Sequence, residues 1–184
     1  MSSAFGTALA ELGAAADRID AQQVDDALTM IAGAARIVLY GCGREGLQMR
    51  GFAMRLHHLG LDVAMQGDMA APPVGPGDLL IVSAGPGELS TVTALMRVAR
   101  AAGADVLFLT AQPETPSAAL ASHVLVIPAQ TMASDQKAEA TSVLPMGSVF
   151  EGALFLLFEA MVLALRDRLG ISPEAMRARH TNLE

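Results

Sequence analysis

Apolar positions along this chain change rhythm, and the changes outline its elements. Leu9, Leu12, Ala16 and Ile19 follow a helical period, and Val24, Leu28 and Ile31 continue it after Asp20. Residues 3–32 therefore read as one or two amphipathic helices that pack on the domain rather than form another. Short β-branched runs then take over. Arg36–Tyr40 is a strand, and Met49, Phe52, Ala53, Leu56 and Leu59 mark the inner stripe of the helix after it, which Gly60 stops. Leu61–Met65 is a second strand, followed by a rigid proline-glycine turn over 72–77. Asp78–Ser83 is the third strand. Its helix turns Val92, Leu95, Met96, Val98 and Ala99 inward and ends at Gly103. Asp105–Thr110 is the fourth strand. Thr115-Pro116 reads as an N-cap with Pro at the first helical position, opening a short helix to Ala121. His123–Pro128 is the fifth strand. Residues 129–147 lack a period and read as an irregular loop. A long apolar helix over 148–169 follows, and Ser172-Pro173 caps a last short one.

Strands alternating with helices predict one α/β domain over 1–184, a three-layer α/β/α sandwich around a five-stranded parallel sheet, doubly wound and flavodoxin-like. The apolar stretch over 152–165 is interrupted by Glu159 and falls short of the roughly 20 residues a membrane span needs, so it reads as a buried helix.

Composition narrows the function classes. Hydrophobic residues make up 52% and mean hydropathy is +0.42, which predicts apolar surface buried between subunits. The net charge is −7 and Lys137 is the one lysine, so no basic stripe offers itself to nucleic acid. A single cysteine, Cys42, excludes an internal disulfide and agrees with a reducing, cytoplasmic location. No signal peptide or membrane partner is expected. His57 and His58 are adjacent on a helix and face different ways, so no metal site is expected, and His123 reads as a packed edge residue.

The candidate chemistry lies at two strand–glycine–helix junctions, Gly41-Cys42-Gly43-Arg44-Glu45-Gly46 and Ala84-Gly85-Pro86-Gly87-Glu88-Leu89-Ser90. Such junctions present backbone N–H groups at a helix N-terminus, suited to an anionic ligand. The first matches G-x-G-x-x-G, but neither Asp62 nor Asp68 sits cleanly where a dinucleotide ribose would want its acid. Ser148-Val149-Phe150-Glu151 reads as a capping box. Glu151 is either only that cap or a carboxylate able to remove a proton alpha to a carbonyl, a task helped by a pKa raised through burial.

These residues together resemble the sugar isomerase (SIS) domain family, and within it the 6-phospho-3-hexuloisomerases. The resemblance runs through Gly41-x-Gly43-Arg44-x-Gly46-Leu47, Arg50-x-Phe52-Ala53-Met54-Arg55-Leu56-x-His58-Leu59-Gly60 and Gly85-x-Gly87-Glu88. It continues in Pro145-Met146-Gly147-Ser148-x-Phe150-Glu151 and the tail Met176-Arg177-x-Arg179-His180-x-Asn182-Leu183-Glu184. It implies interconversion of 3-hexulose 6-phosphate and fructose 6-phosphate through a cis-enediol, without metal or cofactor, in a homotetramer. It further implies Glu151 as base and His180, reaching from a neighbouring subunit, as its helper, with residues 172–184 closing the site. Gly43, Arg44, Glu45, Arg50, Ser83, Gly85, Gly87, Glu88 and Ser90 are the expected substrate-binding positions.

The chain departs from the family pattern where hydroxyls usually face the phosphate. Those positions hold Glu45, Ala84, Pro86 and Leu89, and Pro86 also lacks an N–H. The alternatives are therefore an isomerase, or a non-catalytic binding protein, for a sugar lacking a conventional phosphate. A regulator with a basic DNA-binding region ahead of the domain is disfavoured, because Arg18 is the one basic residue in positions 1–35.

Overall fold

The five apolar runs lie side by side and all parallel, in the order β2-β1-β3-β4-β5. This computed structural model describes residues 3–135 and 142–183. The expected 129–147 loop therefore falls partly outside the described residues. The strands are β1 (Ile37–Gly41), β2 (Val63–Met65), β3 (Leu79–Ser83), β4 (Asp105–Thr110) and β5 (His123–Val126). Every residue of β3 is buried, as a central strand covered on both faces requires. Its apolar run without alternation is the sequence trace of that position.

Helices α1 (Ala4–Ala16), α2 (Ala21–Gly33), α3 (Gly43–His58) and α5 (Ser148–Arg168) contribute buried residues to one face of the sheet; α4 (Ser90–Ala101) covers the other. Short polar residues start three of the helices: Ser3, Asp20 and Ser172 each accept a backbone N–H from the first turn, the last opening α6 (Pro173–Ala178). Helices α3 and α5 run side by side in the same direction. Arg44 meets Glu151 at their N-terminal ends, the rings of Phe52 and Phe158 stack 4.2 Å apart, and Arg55 grips Glu159 through two bonds of 3.0 and 3.1 Å. That pairing sets the candidate chemistry of the two helices at one level.

Four expectations change. Helix α5 is 21 residues long, and by length and composition it could cross a membrane; nine of its residues are instead buried in the core. Its N-cap is Gly147 rather than Ser148, so the capping box does not form. Thr115 caps no helix: its hydroxyl donates to the Gly87 carbonyl at 3.0 Å, and only a 3₁₀ turn over Ala118–Leu120 follows. Val98 faces solvent because the inner face of α4 is carried by Val92, Thr93, Met96 and Ala99.

Candidate active site

The strand order reverses between β1 and β3, and the turns leaving these strands open side by side at the sheet's carboxyl edge. Open α/β sheets bind ligands at that place. The first turn is tight because strand end and helix start nearly touch. A Cβ on Gly46 would come within 2.5 Å of the Gly41 carbonyl oxygen, so only glycine lets α3 begin there. This aims the first residues of α3 across the gap toward β3.

Glu45 crosses it. Its carboxylate is buried, accepts the Ser83 hydroxyl, and takes the Gly85 N–H with both oxygens at 3.1 Å. Burial pushes its carboxyl above the ordinary glutamate range. The Ser83 and Gly85 donors and Arg44 pull it down, while the charge of Glu151 pushes it further up.

Arg44 turns toward α5 instead. Its guanidinium donates to Ser148 Oγ at 2.7 Å and to the Met146 carbonyl, and pairs with Glu151 Oε1 at 3.2 Å. The segment it grips is strained. Met146 adopts a left-handed φ of 57°, and a Cβ on Gly147 (φ 71°) would lie 2.2 Å from the backbone of Met132. The Met146 N–H is held by Asp135 at 2.6 Å, which completes the clamp. The outcome is a fixed start for α5, with Phe150 against Gly85 and Glu151 beside Arg44.

Glu151 is mostly buried, its side chain 16% exposed. Among the described residues its Oε2 is a buried oxygen with no hydrogen-bond partner. Burial raises its carboxyl above the ordinary range, opposed by its own backbone N–H and by Arg44. A carboxylate with one oxygen anchored and the other unpartnered is equipped to take a proton.

The structure thus joins Glu45 directly to Ser83 and Gly85 and Arg44 directly to Glu151, with the charges of Arg44 and Glu151 acting on Glu45 and Gly43 leading into Arg44. Gly87, Glu88 and Ser90 border the second turn: Gly87 is buried at φ 88°, while Glu88 and Ser90 are exposed at the start of α4. Arg50 is not brought to the cluster. It sits on another face of α3, 4.0 Å from Asp68 beyond β2. His180 is also elsewhere within the chain. Arg179 donates to the His58 carbonyl at 3.1 Å, docking the tail on the far end of α3, where the His180 and His58 rings stack 5.3 Å apart. The thirteen residues from Glu45 to His58 put these ends about 20 Å apart at 1.5 Å per residue. Sequence reasoning gave no part to Asp135. No local pattern marks it, because its role depends on the strained turn eleven residues later.

Comparison with known proteins agrees with this geometry. The SIS domain model matches residues 30–156, which include both turns and Glu151. A protein of Mycobacterium gastri named 3-hexulose-6-phosphate isomerase is 37% identical over 177 residues, covering 95% of this chain and 86% of its own. One of the same name from Methylomonas aminofaciens is 37% identical over 160 residues, 87% of each chain. A Methanococcus jannaschii crystal structure, described as inferring a function of 3-hexulose-6-phosphate isomerase, superposes with a TM-score of 0.79 at 24% identity. It covers 89% of this chain and 86% of that one. With its glycine turns at the β1/β3 switch point and that match across more than half its length, the chain belongs to the SIS domain family.

Proposed function

We propose that this protein is a sugar isomerase that moves a ketose carbonyl between C2 and C3, with 3-hexulose 6-phosphate and fructose 6-phosphate as the pair to test. The relatives' names supply 3-hexulose 6-phosphate, the family resemblance adds fructose 6-phosphate, and one observation carries the mechanism: among the described residues Glu151 Oε2 is buried and unpartnered beside a guanidinium at the switch point. In this reading Oε2 removes the proton from C2 of the 3-ketose, and the carbonyl oxygen at C3 takes up a proton. The cis-enediol then receives a proton at C3 while the C2 hydroxyl loses its own, leaving the 2-ketose. A carboxyl with a raised pKa suits both halves, because it must give the proton back. Arg44 holds Glu151 in place and supplies positive charge near the enediolate oxygens. No step asks for a metal or cofactor.

The reading includes a cytoplasmic homotetramer in which His180 of one subunit serves Glu151 of another. Two observations support an assembly: the docking of the tail at His58, ~20 Å along α3 from Glu45, and the apolar side chains Phe5, Leu9, Phe155 and Leu163 exposed on the packed pair α1 and α5. Light scattering is expected to return a particle well above 19.1 kDa. Incubation with fructose 6-phosphate in D₂O is expected to give the 3-ketose with deuterium at C2, and deuterium at C3 of the fructose 6-phosphate recovered. Absence of both isomerisation and exchange would overturn the proposal.

A further inference from the structure

The structure assigns Glu45 as a resident anion that sets ligand specificity. Its carboxylate occupies the Ser83 hydroxyl and the Gly85 N–H of the β3–α4 turn, so the turn holds a phosphoryl group more weakly than free donors would and also admits the neutral, hydroxyl-bearing end of a ketose. This rests on the isomerase reading of the same site and names the class of sugar it accepts.

The turn's backbone donors can be followed one by one. Ala84 N–H bonds the Leu109 carbonyl at 3.0 Å, Gly85 N–H bonds Glu45, Pro86 has none, and Gly87 N–H bonds the Ala84 carbonyl at 2.9 Å. The Ser83 hydroxyl is also given to Glu45. Every backbone donor from 84 to 87 is thus engaged before a ligand arrives. Positions 84, 86 and 89 hold Ala, Pro and Leu and offer no hydroxyl, while Ser90 and Thr91 follow at the start of α4.

Charge points the same way. The charged groups acting on Glu45 are Glu151 and Arg44. Arg44 is held by Ser148, the Met146 carbonyl and Glu151, so two carboxylates share one guanidinium. A dianion reaching for Ser83 and Gly85 must displace a buried carboxylate from them and then lie beside it. A sugar hydroxyl does neither, since it can donate to a carboxylate oxygen.

Calorimetric titration of wild type, Glu45→Ser and Glu45→Gln with inorganic phosphate and with fructose 6-phosphate tests the assignment. Turnover of fructose 6-phosphate against fructose is measured alongside. Freeing one charge-assisted donor is expected to tighten phosphate binding about tenfold or more in Glu45→Ser, with a smaller gain in the isosteric Glu45→Gln. The preference for phosphorylated over plain ketose is expected to rise, mainly through KM. Phosphate affinity equal to or weaker than wild type in both folded variants overturns the assignment. Should Glu45→Ser fail to fold, the isosteric amide alone decides. Wild-type turnover with unchanged phosphate affinity in the variants removes the specificity role and leaves the isomerase. Tighter phosphate binding by the variants, with no turnover or exchange by wild type, removes the isomerase reading and leaves Glu45 as the anion in the turn.

Discussion

The two ends of α3 are built for opposite purposes. Its N-terminal end holds a buried carboxylate, Glu45 tucked against β3, beside Arg44, which is partly exposed and clamped to α5. Its C-terminal end is a docking platform, where Arg179 takes the His58 carbonyl and His180 lies on the His58 ring near the surface. One end carries a carboxylate that can hold a proton, the other an imidazole that can pass one, and a helix of 16 residues keeps them apart. In the proposed assembly a single chain would hold one half of each of two sites, each completed when a neighbouring copy brings its tail to the buried end.

Removing the base is the most severe way to break that contrast. Glu151→Gln keeps the shape and deletes the proton acceptor, so kcat is expected to fall by roughly 10²–10⁴, the usual contribution of a positioned acid–base group. Ligand-induced stabilisation should survive, because the glycine turns are untouched. A kcat near wild type would show that the carboxylate at the start of α5 is not the base.

The exposed end offers a test with a sharper geometry. His180→Ala is expected to lose less than Glu151→Gln. The decisive measurement is a mixture of the two variants, dissociated and reassembled together. If the tail serves a neighbour, mixed assemblies hold interfaces with both native groups and recover activity that neither variant has alone. No recovery from confirmed mixed oligomers would end the role in trans, and the separation along α3 leaves no role in cis.

How legible each end was in the sequence follows from what built it. Strands and helices were readable because burial on one or both faces writes itself into apolar spacing, as β3 and the stripe from Met49 to Leu59 illustrate. Glu151 was readable as a carboxylate at a helix start, but for the wrong local reason. The capping box assumes that Ser148 precedes the helix in extended conformation; two left-handed residues, Met146 and Gly147, instead bring Ser148 inside it. The bond between Glu45 and Gly85 joins turns forty residues apart. It exists because β1 and β3 are neighbours, which no window of the sequence states. The lodging of the tail on α3 was hidden for the same reason: Arg179 finds its carbonyl only after α6 has docked.

A smaller effect sharpens the buried end. Arg44 pulls the Glu151 carboxyl down against the upward push of burial. Arg44→Met removes the pull, so Glu151 must stay protonated to a higher pH. The base works only when ionised, so the acid limb of the pH–rate profile should move toward neutrality. An acid limb that stays in place would show that Arg44 positions the α5 turn without tuning its carboxylate.

The smallest expected effect concerns stability, and its sign is fixed by the direction of the Glu45 shift. Burial raises this carboxyl in the folded chain above its unfolded value, so the folded state holds the proton more tightly. The resulting stabilisation is complete below the ordinary glutamate range and is lost as pH climbs through the raised value. Above that raised value the wild type carries an ionised, largely desolvated group, and Glu45→Gln relieves it while its amide oxygen can still accept from Ser83 and Gly85. The variant is expected to melt higher at pH above that value, each 1 kcal/mol gained being worth about 2–4 °C for a chain of this size. The advantage should shrink on acidification and vanish once wild-type Glu45 is itself protonated. A constant difference across pH would locate the gain in packing. A lower melting temperature at pH above the raised value would mean that the bonds to Ser83 and Gly85 more than offset the burial of charge, making Glu45 a strut between the two turns before it is anything else.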